Sequence, residues 1–176
     1  AGCNLQCPLC DTAYTGGTKY SPSGLMACVE DAQEGQEDIK LIVLTGGEPF
    51  RQNFVPFVLE ALAAGYKVQV ETNGSLWLPE IHRQISSSFP FSIVCSPKHK
   101  IHEQLATSPF LKALKYVVKA GKCDLADGLP TSVLGLKGMP PARIEHWIKN
   151  RKQDIFIQPA DEQVDFKNAL NMQQAV

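Results

Sequence analysis

Three cysteines, Cys3, Cys7 and Cys10, constrain this chain more than any other feature. Their spacing is C-x3-C-x2-C. Three thiols cannot pair among themselves, so the run is not a disulfide framework. Thiolates this close along a chain can converge on one metal centre. A [4Fe-4S] cube has four irons, so three cysteines leave one iron open. Catalytic metal sites keep an open position of this kind, whereas structural sites are closed. Two other readings compete. A zinc site would use the C-x2-C pair as half of a ribbon, but no second Cys or His pair follows, and the next cysteine is Cys28. A ferredoxin-like carrier needs four cysteine ligands per cluster.

The rest of the composition narrows the setting. With 176 residues, 44% hydrophobic and 20% charged, the chain suits one domain, 1–176, with a real core. A net charge of -1 argues against a nucleic-acid surface. No apolar run reaches membrane-spanning length and no signal-peptide pattern opens the chain. Cys28, Cys95 and Cys123 are scattered, which suits a reducing cytoplasm, with Cys28 and Cys123 read as packing thiols. Only Ala1 and Gly2 precede the cysteine loop. Loops that grip a cofactor are normally carried by a rigid scaffold, so an N-terminal strand ahead of the loop is expected and absent from this chain.

Periodicity predicts alternating helices and strands. Ser21-Pro22-Ser23 opens a helix to about Gln33. Ile39–Leu44 reads as a buried strand of a parallel sheet. A helix follows over Asn53–Ala64, with Phe54, Phe57, Val58 and Leu62 on one face. Further strands are expected at Tyr66–Val70, Phe91–Cys95, Lys115–Val118 and Ile155–Ile157. Further helices are expected at about Pro79–Ser87, from Pro140-Pro141 to Asn150, and from Asp165 onward. His99–Phe110 reads as loop and short helix, and the glycine- and proline-rich stretch from Gly121 to Pro141 has no clear assignment. The pattern implies an α/β fold with a parallel sheet covered by helices. With the expected first strand added, six strands make a partial (β/α)6 barrel; a doubly wound sheet is the alternative.

Each polar signature falls just past the end of a strand, where α/β sheets and barrels bind ligands. Thr45-Gly46-Gly47-Glu48-Pro49 offers backbone groups unshielded by a Cβ, and a carboxylate suited to an ammonium group. Glu71-Thr72-Asn73-Gly74 is also an ordinary turn signal. Ser96-Pro97-Lys98 and Gln158-Pro159-Ala160-Asp161 complete the set. His82, His99, His102 and His146 carry no spacing signal; His99 and His102 lie near Ser96-Pro97-Lys98 and are the weaker ligand candidates.

The cysteine loop followed by Gly-Gly-Glu-Pro resembles the radical SAM superfamily, whose open iron binds S-adenosylmethionine (SAM). Cys-Asp-Thr after the third cysteine, Leu-Thr-Gly-Gly-Glu-Pro, Glu-Thr-Asn-Gly, Cys-Ser-Pro-Lys, Lys-Tyr-Val-Val and Gln-Pro-x-Asp-Glu are similar, in this order, to the 7-carboxy-7-deazaguanine synthase family. The likeness runs from Gly2 to about Asn168. It departs at Leu9, where an aromatic is common, and the family's pterin-binding stretch before the loop and its closing C-terminal segment are not in this chain. The resemblance implies that Cys3, Cys7 and Cys10 hold the cluster and Thr12 binds Mg²⁺. It also implies that Thr45 touches substrate, and that Gly47, Glu71, Ser96, Pro97, Lys98, Gln158, Pro159, Ala160 and Asp161 contact SAM. Thr12 taken alone reads better as a helix or turn cap. The implied reaction is that of a lyase of queuosine biosynthesis. A 5′-deoxyadenosyl radical from SAM takes hydrogen from 6-carboxy-5,6,7,8-tetrahydropterin, the ring contracts and ammonia leaves. The implied partners are the small pterin, a flavodoxin- or ferredoxin-like reductant and a second copy in a homodimer, with no nucleic acid and no membrane. A glycyl-radical-enzyme activase and a non-catalytic Fe-S carrier are the alternatives.

Overall fold

The structure, a computed structural model, describes residues 2–7, 10, 12, 16–36, 38–98, 100–133, 141–142, 153–161 and 165–175. Helix α1, Pro22–Ala32, begins as its sequence predicts. Ser21 is extended at the N-cap, its Oγ accepts the Gly24 N–H at 3.0 Å, and Pro22 fills the first helical position. Strand β1, Leu41–Leu44, is shorter than expected and is not a buried strand. Leu41 and Val43 are 51% and 42% exposed: their register partners Lys67 and Gln69 lie on the face of β2 opposite the buried Val68 and Val70, and among the described residues β1 pairs with β2 alone.

A short 3₁₀ turn, Pro49–Arg51, leads to helix α2, Val55–Ala63. Val55, Phe57, Val58 and Ala61 of α2 are buried, with Phe54 just before it, so the predicted face is the core face. Each fully buried Val stabilises the fold by roughly 1.5–3 kcal/mol. Strand β2, Lys67–Thr72, extends two residues past the predicted end. Its alternation buries Val68, Val70 and Thr72 among the helices and leaves Gln69 and Glu71 half-buried on the opposite face. Helix α3, Glu80–Gln84, strand β3, Phe91–Cys95, and helix α4, Glu103–Ala106, follow. Strand β4, Leu111–Val118, is twice its predicted length. Lys112 and Lys115, three residues apart, would face opposite sides of a regular strand; the register shift against Ile93 and Val94 breaks the alternation between them, leaving Lys112 exposed and Lys115 half-buried while Ala113 and Leu114 are buried. Strand β5 is Asp154–Pro159 and helix α5 is Asp165–Ala175, which packs on β5 and β4.

All five strands are parallel, in the order β1-β2-β3-β4-β5. Each crossover therefore steps to the next neighbour in one direction. A doubly wound sheet reverses its order at a switch point; this sheet does not, so the winding is that of a partial barrel. The sheet is open among the described residues. The register sets Leu44 beside Val70, Thr72 beside Cys95 and Val118 beside Pro159, so the loops after successive strands open on one edge. The stretch from Gly121 folds back on itself, with a bridge between Cys123 and Pro130 and with Leu129 and Val133 buried. The helix predicted to end at Asn150 lies outside the described residues, apart from Pro141 and Ala142.

Candidate functional site

A cavity of about 650 Å³ opens at this C-terminal edge, within the range of small-molecule sites. Cys3, Cys7 and Cys10 line it, as do Thr45 and Gly47 after β1, Glu71 on β2, Ser96, Pro97 and Lys98 after β3, and Gln158, Pro159, Ala160 and Asp161 at the end of β5. Residues scattered over more than 150 positions thus share one wall. Thr12 is the one candidate that does not line the cavity. It lies two residues beyond Cys10, whose Sγ is 4.0 Å from the Thr12 carbonyl oxygen.

The cysteine loop is held by the loops after β1 and β2. The Glu48 N–H donates to the Gly2 carbonyl at 2.9 Å, and Arg51 Nη1 donates to the Cys3 carbonyl at 2.9 Å. Asn73 Nδ2 donates to Asn4 Oδ1 at 3.0 Å, and Asn4 Nδ2 donates to Ser75 Oγ at 2.8 Å. Gly47 has a structural reason to be glycine beside the one its sequence suggests. A Cβ there would fall 2.1 Å from the Gly2 carbonyl oxygen, so the missing side chain makes room for the cysteine loop itself. Glu48 also has a different part. It is 3% exposed, and its carboxylate accepts from the Phe50 N–H at 3.0 Å, Thr72 Oγ1 at 2.7 Å and the Asn73 N–H at 2.8 Å. Both oxygens are used in joining the two loops, so this carboxylate is not the open ammonium acceptor expected from the sequence.

The three thiols differ in setting. Cys10 is exposed, and Cys3 and Cys7 are half-buried. Burial pushes the Cys7 thiol above its ordinary pKa; Lys98 pulls against this, and Cys10 and Cys3 add to it. Lys98 thus lies close enough to favour the Cys7 thiolate, and metal uptake would release the thiol protons. Among the described residues no three His, Cys, Asp or Glu side chains crowd one point as a single ion requires. A cube spreads three thiolates over three irons, and three thiols lining one cavity beside a lysine fit that group.

Deeper in the cavity Lys115 Nζ lies 2.7 Å from Glu71 Oε2. The Lys115 carbonyl accepts from Ser96 Oγ at 3.0 Å, and Lys98 Nζ donates to the same Oγ at 3.4 Å. Asp161 is oriented by Asn168 Nδ2 at 2.9 Å. Lys115, Tyr116 and Val117 line the wall, as do Pro130, Ser132, Val133 and Pro141. No site role was assigned to any of these from the sequence. For Lys115 the available signal was a cation in an otherwise apolar strand; for the second group there was none, because a turn-rich stretch carries no period.

The histidines stay structural where they are described. His82 stacks beside Trp77 and Phe110 with Nε2 3.1 Å from Ser108 Oγ. His102 caps α4 through its Nδ1. His99 and His146 lie outside the described residues. Cys95 is fully buried, and burial, with Glu48 adding to it, drives its thiol far above the usual range. Cys28 is exposed on α1, so it is not a packing thiol: α1 turns that position to solvent.

A parallel α/β sheet wound in barrel order, with a three-cysteine loop over its C-terminal edge, defines the class. The family model of the radical SAM superfamily matches residues 1–150, and the chain belongs to that superfamily. A [4Fe-4S] cluster and SAM are the cofactors that membership brings. Among curated proteins the chain is 39% identical over 164 residues to a 7-carboxy-7-deazaguanine synthase of Rhodospirillum rubrum, covering 92% of this chain and 65% of that one. It is 38% identical over 125 residues to the enzyme of that name from Aquifex aeolicus (66% and 52% covered). It is 34% identical over 128 residues to that of Rickettsia prowazekii (66% and 50% covered). The chain thus spans between half and two thirds of the length of these relatives. No helix among the described residues is long and apolar enough to cross a membrane.

Proposed function

We propose that this chain is the single-domain core, 1–176, of a 7-carboxy-7-deazaguanine synthase, a lyase that converts 6-carboxy-5,6,7,8-tetrahydropterin to 7-carboxy-7-deazaguanine with loss of ammonia. The observation that carries the reading is the convergence of the cysteine loop and the strand-end signatures on one cavity, in a chain whose relatives bear that name. The bound cluster and SAM would supply a reductively generated 5′-deoxyadenosyl radical that takes hydrogen from the pterin. The protein's part is orientation and exclusion of water. Cys3, Cys7 and Cys10 hold the cluster. Gly47, Glu71, Ser96, Pro97, Lys98 and Gln158 to Asp161 surround SAM, with the Lys115 cation fixing the Glu71 carboxylate and the Lys115 carbonyl fixing the Ser96 hydroxyl. Thr45 faces substrate. Thr12, just past Cys10, serves Mg²⁺, which keeps waters or takes substrate oxygens to complete its octahedron. A flavodoxin- or ferredoxin-like reductant, a homodimer and a cytoplasmic setting belong to the same reading.

The test is an anaerobic assay of the reconstituted chain with SAM, dithionite, Mg²⁺ and the carboxypterin, followed by mass spectrometry. Expected products are 5′-deoxyadenosine, methionine and 7-carboxy-7-deazaguanine, with Thr12→Ala weakening the Mg²⁺ response and sparing SAM cleavage. Cleavage of SAM with the pterin untouched would point to an activase; no cleavage at all would point to an electron carrier.

A further inference from the structure

One buried side chain links the β2 loop to a cluster ligand. Asn73 is 7% exposed. Its Oδ1 accepts from the Ser75 N–H at 2.9 Å and from Ser75 Oγ at 2.6 Å. Two donors on one oxygen fix which way the amide faces, so Nδ2 must point away from Ser75. That nitrogen has two hydrogens. One goes to Asn4 Oδ1 at 3.0 Å and the other to Cys3 Sγ at 4.0 Å. The backbone of Asn73 is held in turn by the buried Glu48 carboxylate at 2.8 Å. The same sulfur also receives the Leu5 N–H at 3.4 Å.

We infer that Asn73 is a positioning residue that tunes the cluster through an N–H donor to the Cys3 sulfur. The inference rests on the three-cysteine cluster and not on the pterin. When one electron enters a [4Fe-4S] cluster, added negative charge spreads onto the ligand sulfurs. A donor aimed at such a sulfur stabilises the reduced form more than the oxidised one and raises the reduction potential. Asn73 is preset for this, because Ser75 and Glu48 hold it in place without any help from the cluster. An Asn-Gly pair reads from sequence as a turn; here the same residue makes the turn with Oδ1 and faces the sulfur with Nδ2.

The experiment is a dithionite titration of the reconstituted chain, followed by electron paramagnetic resonance, on wild type, Asn73→Asp and Asn73→Ser. Asn73→Asp keeps the oxygen that Ser75 uses and loses the donor. Asn73→Ser replaces the amide N–H by a hydroxyl on a side chain one atom shorter, which withdraws the donor from Cys3 Sγ without adding charge. Both are expected to keep iron, since Arg51 and Glu48 still hold the loop. Both should shift the midpoint to more negative potential, lowering the reduced-to-oxidised ratio at fixed potential by roughly twofold, the low end of what a hydrogen bond contributes, since the N···S contact is long at 4.0 Å. A shift in Asn73→Asp alone would be an effect of charge and would overturn the proposal, as would no shift in either. If neither variant retains a cluster, wild-type protein carrying ¹⁵N only in its asparagine side-chain amides decides. Pulsed resonance of the reduced cluster must then show a ¹⁵N coupling, and its absence overturns the proposal. A wild-type chain that takes up no iron would instead sink the cluster reading on which the proposed function also stands. Pterin turnover enters none of these readouts, so failure of the substrate reading leaves the outcome intact.

Discussion

Gly47 shows how much one absent carbon can decide. Its hydrogen faces the Gly2 carbonyl, where a methyl group would stand 2.1 Å from oxygen, and that neighbour is backbone that cannot swing aside. Gly47→Ala should therefore displace the cysteine loop before it touches any ligand. The expected result is loss of most bound iron and of visible absorbance after anaerobic reconstitution, with SAM affinity falling as a consequence. A variant that carries a full cluster and yet fails to bind SAM would show that Gly47 acts at SAM and not through the cysteine loop. Gly74 repeats the lesson in the core. It has φ +82, and a Cβ there would lie 2.5 Å from Cys95 Sγ, so both its backbone conformation and its neighbour demand glycine.

At the scale of elements, the loops after β1 and β2 act as one unit because Glu48 joins them. Its carboxylate satisfies Phe50, Thr72 and Asn73 together, and all three donors lie where water cannot replace it. Glu48→Ala should cost roughly 3 kcal/mol, since stranding buried donors costs about 1–3 kcal/mol each with partial relaxation. Glu48→Gln keeps one acceptor oxygen and should cost less. Urea unfolding measures both, and the midpoint should fall with an unchanged slope. A loss under about 0.5 kcal/mol for Glu48→Ala, the ordinary scale of a surface change, would mean that the loops are held by other contacts.

For the described strands as a whole, the parallel sheet is open at β1 and at β5. Leu41 and Val43 are exposed on β1, and Ile155 and Phe156 on β5. An exposed apolar edge strand invites pairing with other chains, and lysine is a common device against it. Val43→Lys should reduce light scattering in concentrated solution while changing stability by no more than about 0.5 kcal/mol. Scattering equal to wild type would show that the β1 edge does not take part in self-association.

Much of this protein was legible along the chain. The strand and helix centres follow from apolar period, α1 from Ser21 and Pro22, and the cysteine loop and strand-end signatures from spacing and order. Those are local properties, set by neighbours in sequence. Other features depended on what lies across a gap of many residues. The sheet order separated a barrel winding from a doubly wound one, and the face opposite the buried side of β2 exposed Leu41 and Val43 despite the apolar run of β1. Gly47 and Glu48 are pinned by Gly2, Thr72 and Asn73, so motif residues that read from sequence as ligand contacts also hold the loop that carries the cysteines. Lys115 entered the cavity because strand alternation turned it away from the core, opposite Glu71. A sequence states which residues can make a carboxylate, a turn or a thiolate; only the fold determines which partner each one meets, because contact energies act over ångströms in space and not over positions in the chain.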